Sequence, residues 1–331
     1  MRHRCLRIKA GTFALLSAAT GLFAVGLLSP FNVHAQSKTP SVVASIKPIH
    51  SLVSNVMSGI GKPGIIISGG ASPHAYTIRP SKAKLLNKAD MIFWIGNEME
   101  TFLEKPLHSL GRMAKIIELS KAHNVYLLKA RKSGTWDSHD HGDQHNHGHS
   151  HKSGTSPGRY NMHLWLSRTN AIAIVNTAVK ALGKFDPKNA ALYESNGSKT
   201  IERIQNVFHR LKSELAPVRN APYLVFHDAY PYFEKDMGLN AVGSISTHTG
   251  RKPGAKRLYT IRRKILTLGV KCIFAEPQFE PGLIKTIVEG TSAKTSILDP
   301  LGATLKAGPD AYFTLLENLT KNLKDCLAKT S

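Results

Sequence analysis

Between Pro187 and Leu215 the chain carries a sustained helical pattern. Ile201, Ile204, Phe208, Leu211 and Leu215 recur at three- and four-residue spacing, which puts them on one apolar face. Pro187 opens the run and Pro217 lies just beyond its end, while Gly197 weakens its first part. Such a helix spans roughly 40 Å, enough to cross from one domain to another.

Both flanks of this helix alternate short β-branched runs with amphipathic segments. On the N-terminal side, Ser41–Ile46, Ile65–Ile67 and Asp90–Ile95 read as strands, and Pro48–Met57, Pro80–Ala89, Met99–Leu110 and Thr169–Leu182 as helices. On the C-terminal side, Tyr223–Phe226, Ala241–Ile245, Lys271–Ala275 and Thr295–Leu298 read as strands. Helices follow there at 229–237, 255–268, 281–290 and 310–327. The alternation predicts an α/β protein with two parallel-sheet halves joined by a long helix. The expected division is a first α/β domain over 36–186, a linking helix over 187–216 and a second α/β domain over 217–331.

The first 35 residues read as a leader rather than as part of the fold. Arg2, Arg4, Arg7 and Lys9 precede an apolar run from Ala10 to Leu28, and Val33-His34-Ala35 fits a small-x-small cleavage pattern. The alternative is an N-terminal membrane anchor. Cleavage near Ala35 leaves about 300 residues, a length suited to two domains. It also leaves Cys272 and Cys326, which in an oxidising compartment favour one disulfide over two buried thiols. Losing the four leader cations lowers the formal charge from +22 to +18. The remaining Lys and Arg are spread along the chain without a recognition motif, so they read as a solvated basic surface and not as a nucleic-acid site.

Residues 129–160 break the α/β pattern. Glycine, serine, aspartate, histidine and lysine dominate there, and no core can be built from them. Within this insert His139, His141, His145, His147, His149 and His151 form a dense tract of the commonest metal-ligating side chain. Elsewhere three histidines stand where α/β proteins keep their ligands. His74 lies in GGASPHAYTIRPS after the second strand, His163 in NMHLWLS after the insert, and His227 at the end of the strand Tyr223–Phe226. Asp299, in ILDPLGA, ends the last strand at the same kind of edge. Three imidazoles and a carboxylate make a tetrahedral zinc set. His50, at a helix start, reads as structural.

The motifs ASPHAYTIRPS, KADMIFWIGNEMETFLEKPL, NMHLWLS, FHDAYPYFE, PGAKRLYTIRRKI, FAEPQFEP and LDPLGATLKAG occur in that order around the histidine-rich insert. Together they resemble the zinc-specific periplasmic solute-binding proteins of bacterial ABC importers, the ZnuA type, over essentially the whole mature chain. The resemblance implies two (β/α)4-like domains with metal in the cleft between them. It assigns His74 and His163 as ligands from the first domain and His227 and Asp299 as ligands from the second. It also implies a Cys272–Cys326 bridge, Zn²⁺ as cargo, a monomer in the periplasm, a membrane permease as partner and room for a periplasmic zinc chaperone. Glu276 is a family feature expected near the site in a supporting role. Pro73 stands where some zinc members carry a glutamate, which leaves the fourth ligand between Asp299 and water. Manganese-binding relatives place a glutamate at the position of His227, and relatives of this fold have been proposed as metal-dependent surface adhesins. A zinc hydrolase is disfavoured because no HExxH pair or comparable short-spaced ligand pair is present.

Overall fold

The computed structural model describes residues 39–131, 159–246, 254–279 and 282–328. The leader with its cleavage site, and the histidine tract 139–151, lie outside the described residues.

The N-terminal half contains β1 (Val42–Ile46), α1 (Lys47–Val56), β2 (Gly64–Ile67), α2 (Pro80–Asn87), β3 (Met91–Trp94), α3 (Glu104–Ser109) and β4 (Lys115–Glu118). All four strands are parallel, in the order β2-β1-β3-β4. After the insert come α4 (Arg168–Phe185) and α5 (Ala190–Leu215). The C-terminal half contains β5 (Tyr223–Val225), α6 (Pro231–Met237), β6 (Ala241–Ser244), α7 (Ala255–Thr267), β7 (Cys272–Ala275), α8 (Gly282–Val288), β8 (Lys294–Ile297) and α9 (Ala311–Leu327). Its sheet is again parallel and has the equivalent order, β6-β5-β7-β8.

Burial follows strand position. The central strands VVASI, MIFW and YLV are buried at every residue, as expected where helices cover both faces of a sheet. The edge strands β4 (KIIE) and β8 (KTSI) are half open to solvent. β4 was absent from the sequence reading, because four residues with two charged ends and no alternation of burial carry almost no strand signal. The predicted helix Met99–Leu110 is a short 3-10 turn followed by α3, and a similar turn at Pro187–Asn189 precedes α5. The insert is shorter than its composition suggested. Lys129 bridges Tyr160, and Ala130 N–H donates to Arg159 O at 3.2 Å, so both ends of 129–160 are tied together.

At 26 residues, α5 is about 39 Å long. It buries Ile204, Val207, Phe208, Leu211 and Leu215 and packs on α1 and α4 as well as on α9. One hydrophobic core therefore runs through both halves by way of α1, α4, α5 and α9, and a smaller one fills the outer part of the second half. The described residues, from Thr39 onward, form a single compact unit. Polar contacts reinforce the junction. Ser51 Oγ donates to Pro309 O at 2.7 Å, Trp165 Nε1 to Pro300 O at 2.9 Å, and Tyr312 OH to Trp165 O at 2.8 Å. Cys272 and Cys326 form a disulfide joining β7 to α9.

Gly197 has a packing reason that its helix propensity hid. A Cβ placed there would lie 2.4 Å from Val179 Cγ2 on α4, and the β-branched valine has little freedom to withdraw. Gly197→Ala is expected to destabilise the apo protein by a net ~1–2 kcal/mol, the clash outweighing the ~1 kcal/mol gained in helix propensity. Urea unfolding of the two proteins measures the difference; equal or higher stability of the alanine variant would remove the close-approach explanation.

Candidate metal centre

Three loops at the carboxyl ends of the strands converge. Pro73 starts a 3-10 turn after β2 that carries His74. His163 immediately precedes the 3-10 turn Leu164–Leu166, whose three residues are buried. His227 follows β5 and is buried. One ligand atom from each of the three imidazoles lies within 4.8 Å of the other two. The Nε2 atoms of His163 and His227 are 3.2 Å apart, and the Nε2 atom of His74 is buried without a partner among the described residues.

Two further side chains fix which nitrogens face inward. Asn161 Oδ1 accepts from the His163 backbone N–H at 3.1 Å and lies 3.0 Å from its Nδ1. Glu276, buried at the end of β7, places Oε1 2.5 Å from His227 Nδ1 and also accepts from the His227 backbone N–H at 3.3 Å. An acceptor opposite each Nδ1 selects the tautomer that carries its proton there. The Nε2 lone pairs are then left to face one another, the arrangement seen around metal-ligating histidines.

Two of the three rings are held neutral. Burial, and secondarily the repulsion of a positive charge on His227, lowers the His74 pKa to about 3. Burial, then His227 and His74, holds His163 well below the usual imidazole range. A histidine pKa depressed below its unfolded value of 6.5 contributes stability above pH 6.5, and this is lost as the pH falls toward the folded value. The lone pairs of His74 and His163 therefore remain free through mildly acid pH.

Asp299 is engaged by the loop that follows it. Its Oδ1 accepts from Leu301 N–H and Gly302 N–H, both at 3.0 Å, and from Gln278 Nε2 at 3.1 Å, while Oδ2 accepts from Ala303 N–H at 2.5 Å. It braces the loop 300–303, whose carbonyls at Gly302 and Ala303 each accept from Lys47 Nζ at 2.6 Å. The histidine cluster does not include it. His50 is also apart, its Nε2 lying 3.0 Å from Pro63 O within the first half. The sequence reading missed Asn161, although an Asn two residues before a ring it orients is a known local bonding pattern. It also missed Gln278 and the clasp made by Arg131. That guanidinium, at the stem of the insert, pairs with Asp228 and with Glu234 at 3.0 Å, and so ties the insert to the segment that follows His227.

Fold and site together define a two-sheet α/β protein that presents three converging imidazoles from both halves. Residues 42–326 match the family described as zinc-uptake complex component A, periplasmic (ZnuA). The high-affinity zinc uptake system protein ZnuA of Brucella suis biovar 1 is 46% identical over 306 residues, covering 87% of this chain and 92% of the relative. Its counterpart in Yersinia pestis is 34% identical over 305 residues, covering 91% and 94%. A crystal structure of a zinc-bound ZnuA deletion mutant superposes with a TM-score of 0.73 at 20% identity, over 89% of this chain and 100% of the other, which shows the shared fold. The chain belongs to the ZnuA family. That family consists of uptake-complex components, not enzymes.

A pH test follows from the neutral imidazoles. With His74 and His163 already unprotonated, zinc has no proton to displace from either ring. Between pH 6.5 and 5.5, log Kd for zinc is expected to change with a slope of at most about one per pH unit, against about two for three ordinary histidines, each of which is about half protonated at pH 6.5 and about nine-tenths protonated at pH 5.5. Zinc competition titrations across this range give the slope, and a value of about two or more would contradict the depressed pKa values.

Proposed function

We propose that this chain captures Zn²⁺ in the periplasm and passes it to the membrane permease of an ABC-type zinc importer, with His74, His163 and His227 as its protein ligands. The observation that carries the reading is the convergence of three imidazoles, two of them with Nδ1 facing an acceptor, on one small space. Nitrogen ligands suit zinc, whereas manganese prefers oxygen. Asp299 is read as the brace of loop 300–303, since binding a cation would cost it several of its amide hydrogen bonds.

The remaining parts take their places around this site. Residues 1–35 are read as a signal peptide removed near Ala35, 36–186 as the first domain, 187–216 as the linking helix and 217–331 as the second domain. Among the described residues no helix is long and apolar enough to cross a membrane. His139, His141, His145, His147, His149 and His151 form an accessory, weaker zinc-holding tract. The protein works as a monomer, and a periplasmic zinc chaperone is a further partner.

Calorimetric zinc titration of the mature chain, with and without residues 136–152, tests the assignment. The deletion spares the Lys129–Tyr160 bridge and the Arg131 clasp, so the fold should survive. One tight site is expected in both proteins, with only weaker binding lost from the shortened one. Loss of the tight site on deletion would move the site into the insert.

A further inference from the structure

The three histidines leave a tetrahedral cation one position short. The cavity beside them is lined by Glu276, Gln278, Phe279, Pro300 and Leu301 as well as by the three rings. Two oxygens of these lining side chains, Glu276 Oε2 and Gln278 Oε1, are buried and have no hydrogen-bond partner among the described residues. The neighbouring Tyr230 hydroxyl donates to Leu298 O at 3.0 Å.

The orientation of the Gln278 amide is settled by chemistry. A carboxylate oxygen that already receives two backbone N–H groups can only accept, so the side of the amide facing Asp299 must be its NH₂. The carbonyl oxygen is thereby turned away from Asp299. Buried acceptors left unmatched cost about 1–3 kcal/mol each, so two in one cavity call for a donor. A water molecule bound to a cation through a lone pair still has two protons to donate.

We infer that the fourth position of the bound cation is taken by a water whose two protons are received by Glu276 Oε2 and Gln278 Oε1, making Gln278 a positioning residue for the cargo. The inference rests on the three-histidine assignment. Through Asp299 and loop 300–303, Gln278 also links that water to Lys47 of the first half. An exchangeable ligand suits a site that must release its ion.

The test uses the mature protein loaded with Co²⁺ in ¹⁷O-enriched water, read by electron–nuclear double resonance, together with zinc dissociation rates for wild type and Gln278→Met. Methionine keeps the length of the side chain and removes its acceptor. The expected results are a ¹⁷O coupling in wild type, a shifted cobalt d–d spectrum in Gln278→Met, and zinc loss about 10-fold faster in that variant. An apo melting temperature unchanged by the substitution separates this from simple destabilisation; a lowered one is answered by the cobalt spectrum, which a purely structural role would leave alone. Absence of ¹⁷O coupling in wild type, or an unaltered spectrum and rate in Gln278→Met, overturns the inference and leaves the histidine ligands intact. Failure of ¹⁴N imidazole couplings to appear in wild type would instead remove the parent assignment.

Discussion

Replacing His163 with alanine is expected to weaken zinc binding by about 10²–10³-fold. A protein zinc site of four ligands is worth about 10–16 kcal/mol, so one ligand accounts for roughly 3–4 kcal/mol, or two to three decades in Kd. His163 is the most informative of the three. Its ring is near both others, with centroids 5.5 Å from His74 and 5.0 Å from His227 against 6.3 Å between those two, and it is buried. Alanine there removes a donor from the cluster and leaves Asn161 with one fewer group to orient. His50→Ala is the matched control. It too deletes a buried imidazole from the first half, but one bonded to Pro63 O and outside the cluster, and zinc affinity should not change. Competition with a chromophoric chelator reads both variants. A His163→Ala protein within threefold of wild type would mean that the cation sits elsewhere.

The contrast between His163 and His50 also shows what a sequence can tell about such a site. Both are isolated histidines in apolar surroundings. His163 could be picked out because it stands beside the insert in NMHLWLS, and His74 and His227 because they follow strands at the edge where α/β sheets hold ligands. The strands themselves were readable wherever burial on both faces demands a continuous apolar run, as in MIFW or CIFA. β4 was not readable, because this short edge strand carries little pattern. Asp299 shows a different limit. Its place at a strand end suggests a ligand, and the following Pro-Leu-Gly is also turn chemistry, in which a carboxylate commonly serves the backbone amides just ahead of it. The hydrogen bonds it accepts from Leu301, Gly302, Ala303 and Gln278 become visible only in the folded loop. Asn161 acts on His163 only two residues away, but Glu276 and Gln278 act between segments 49 to 115 residues apart in the chain and become visible as partners only once β5, β7 and the post-insert loop lie side by side.

Converting Cys272 and Cys326 to alanine is expected to destabilise the protein by about 4 kcal/mol. The bridge spans 54 residues, and the chain-entropy cost of leaving a loop of that length open gives about this figure. Against a typical folding stability of about 5–15 kcal/mol, that is a large share. Alanine is the right replacement, because Cys272 and Cys326 are both buried and serine would strand two hydroxyls in the core. The consequence for zinc should be much smaller. Cys272 is the first residue of β7 and Glu276 follows its last, so the bond lies about 13 Å along the strand from the carboxylate that orients His227. Ladder pairing with β5 on one side and β8 on the other holds the register of that strand without the disulfide. Urea unfolding with and without the cysteines measures the first effect, and zinc titration well below the midpoint measures the second. A stability loss under about 1 kcal/mol would mean that α9 is held to the second sheet by packing alone. A parallel fall in zinc affinity would mean that the strand transmits strain from its first residue to the metal centre.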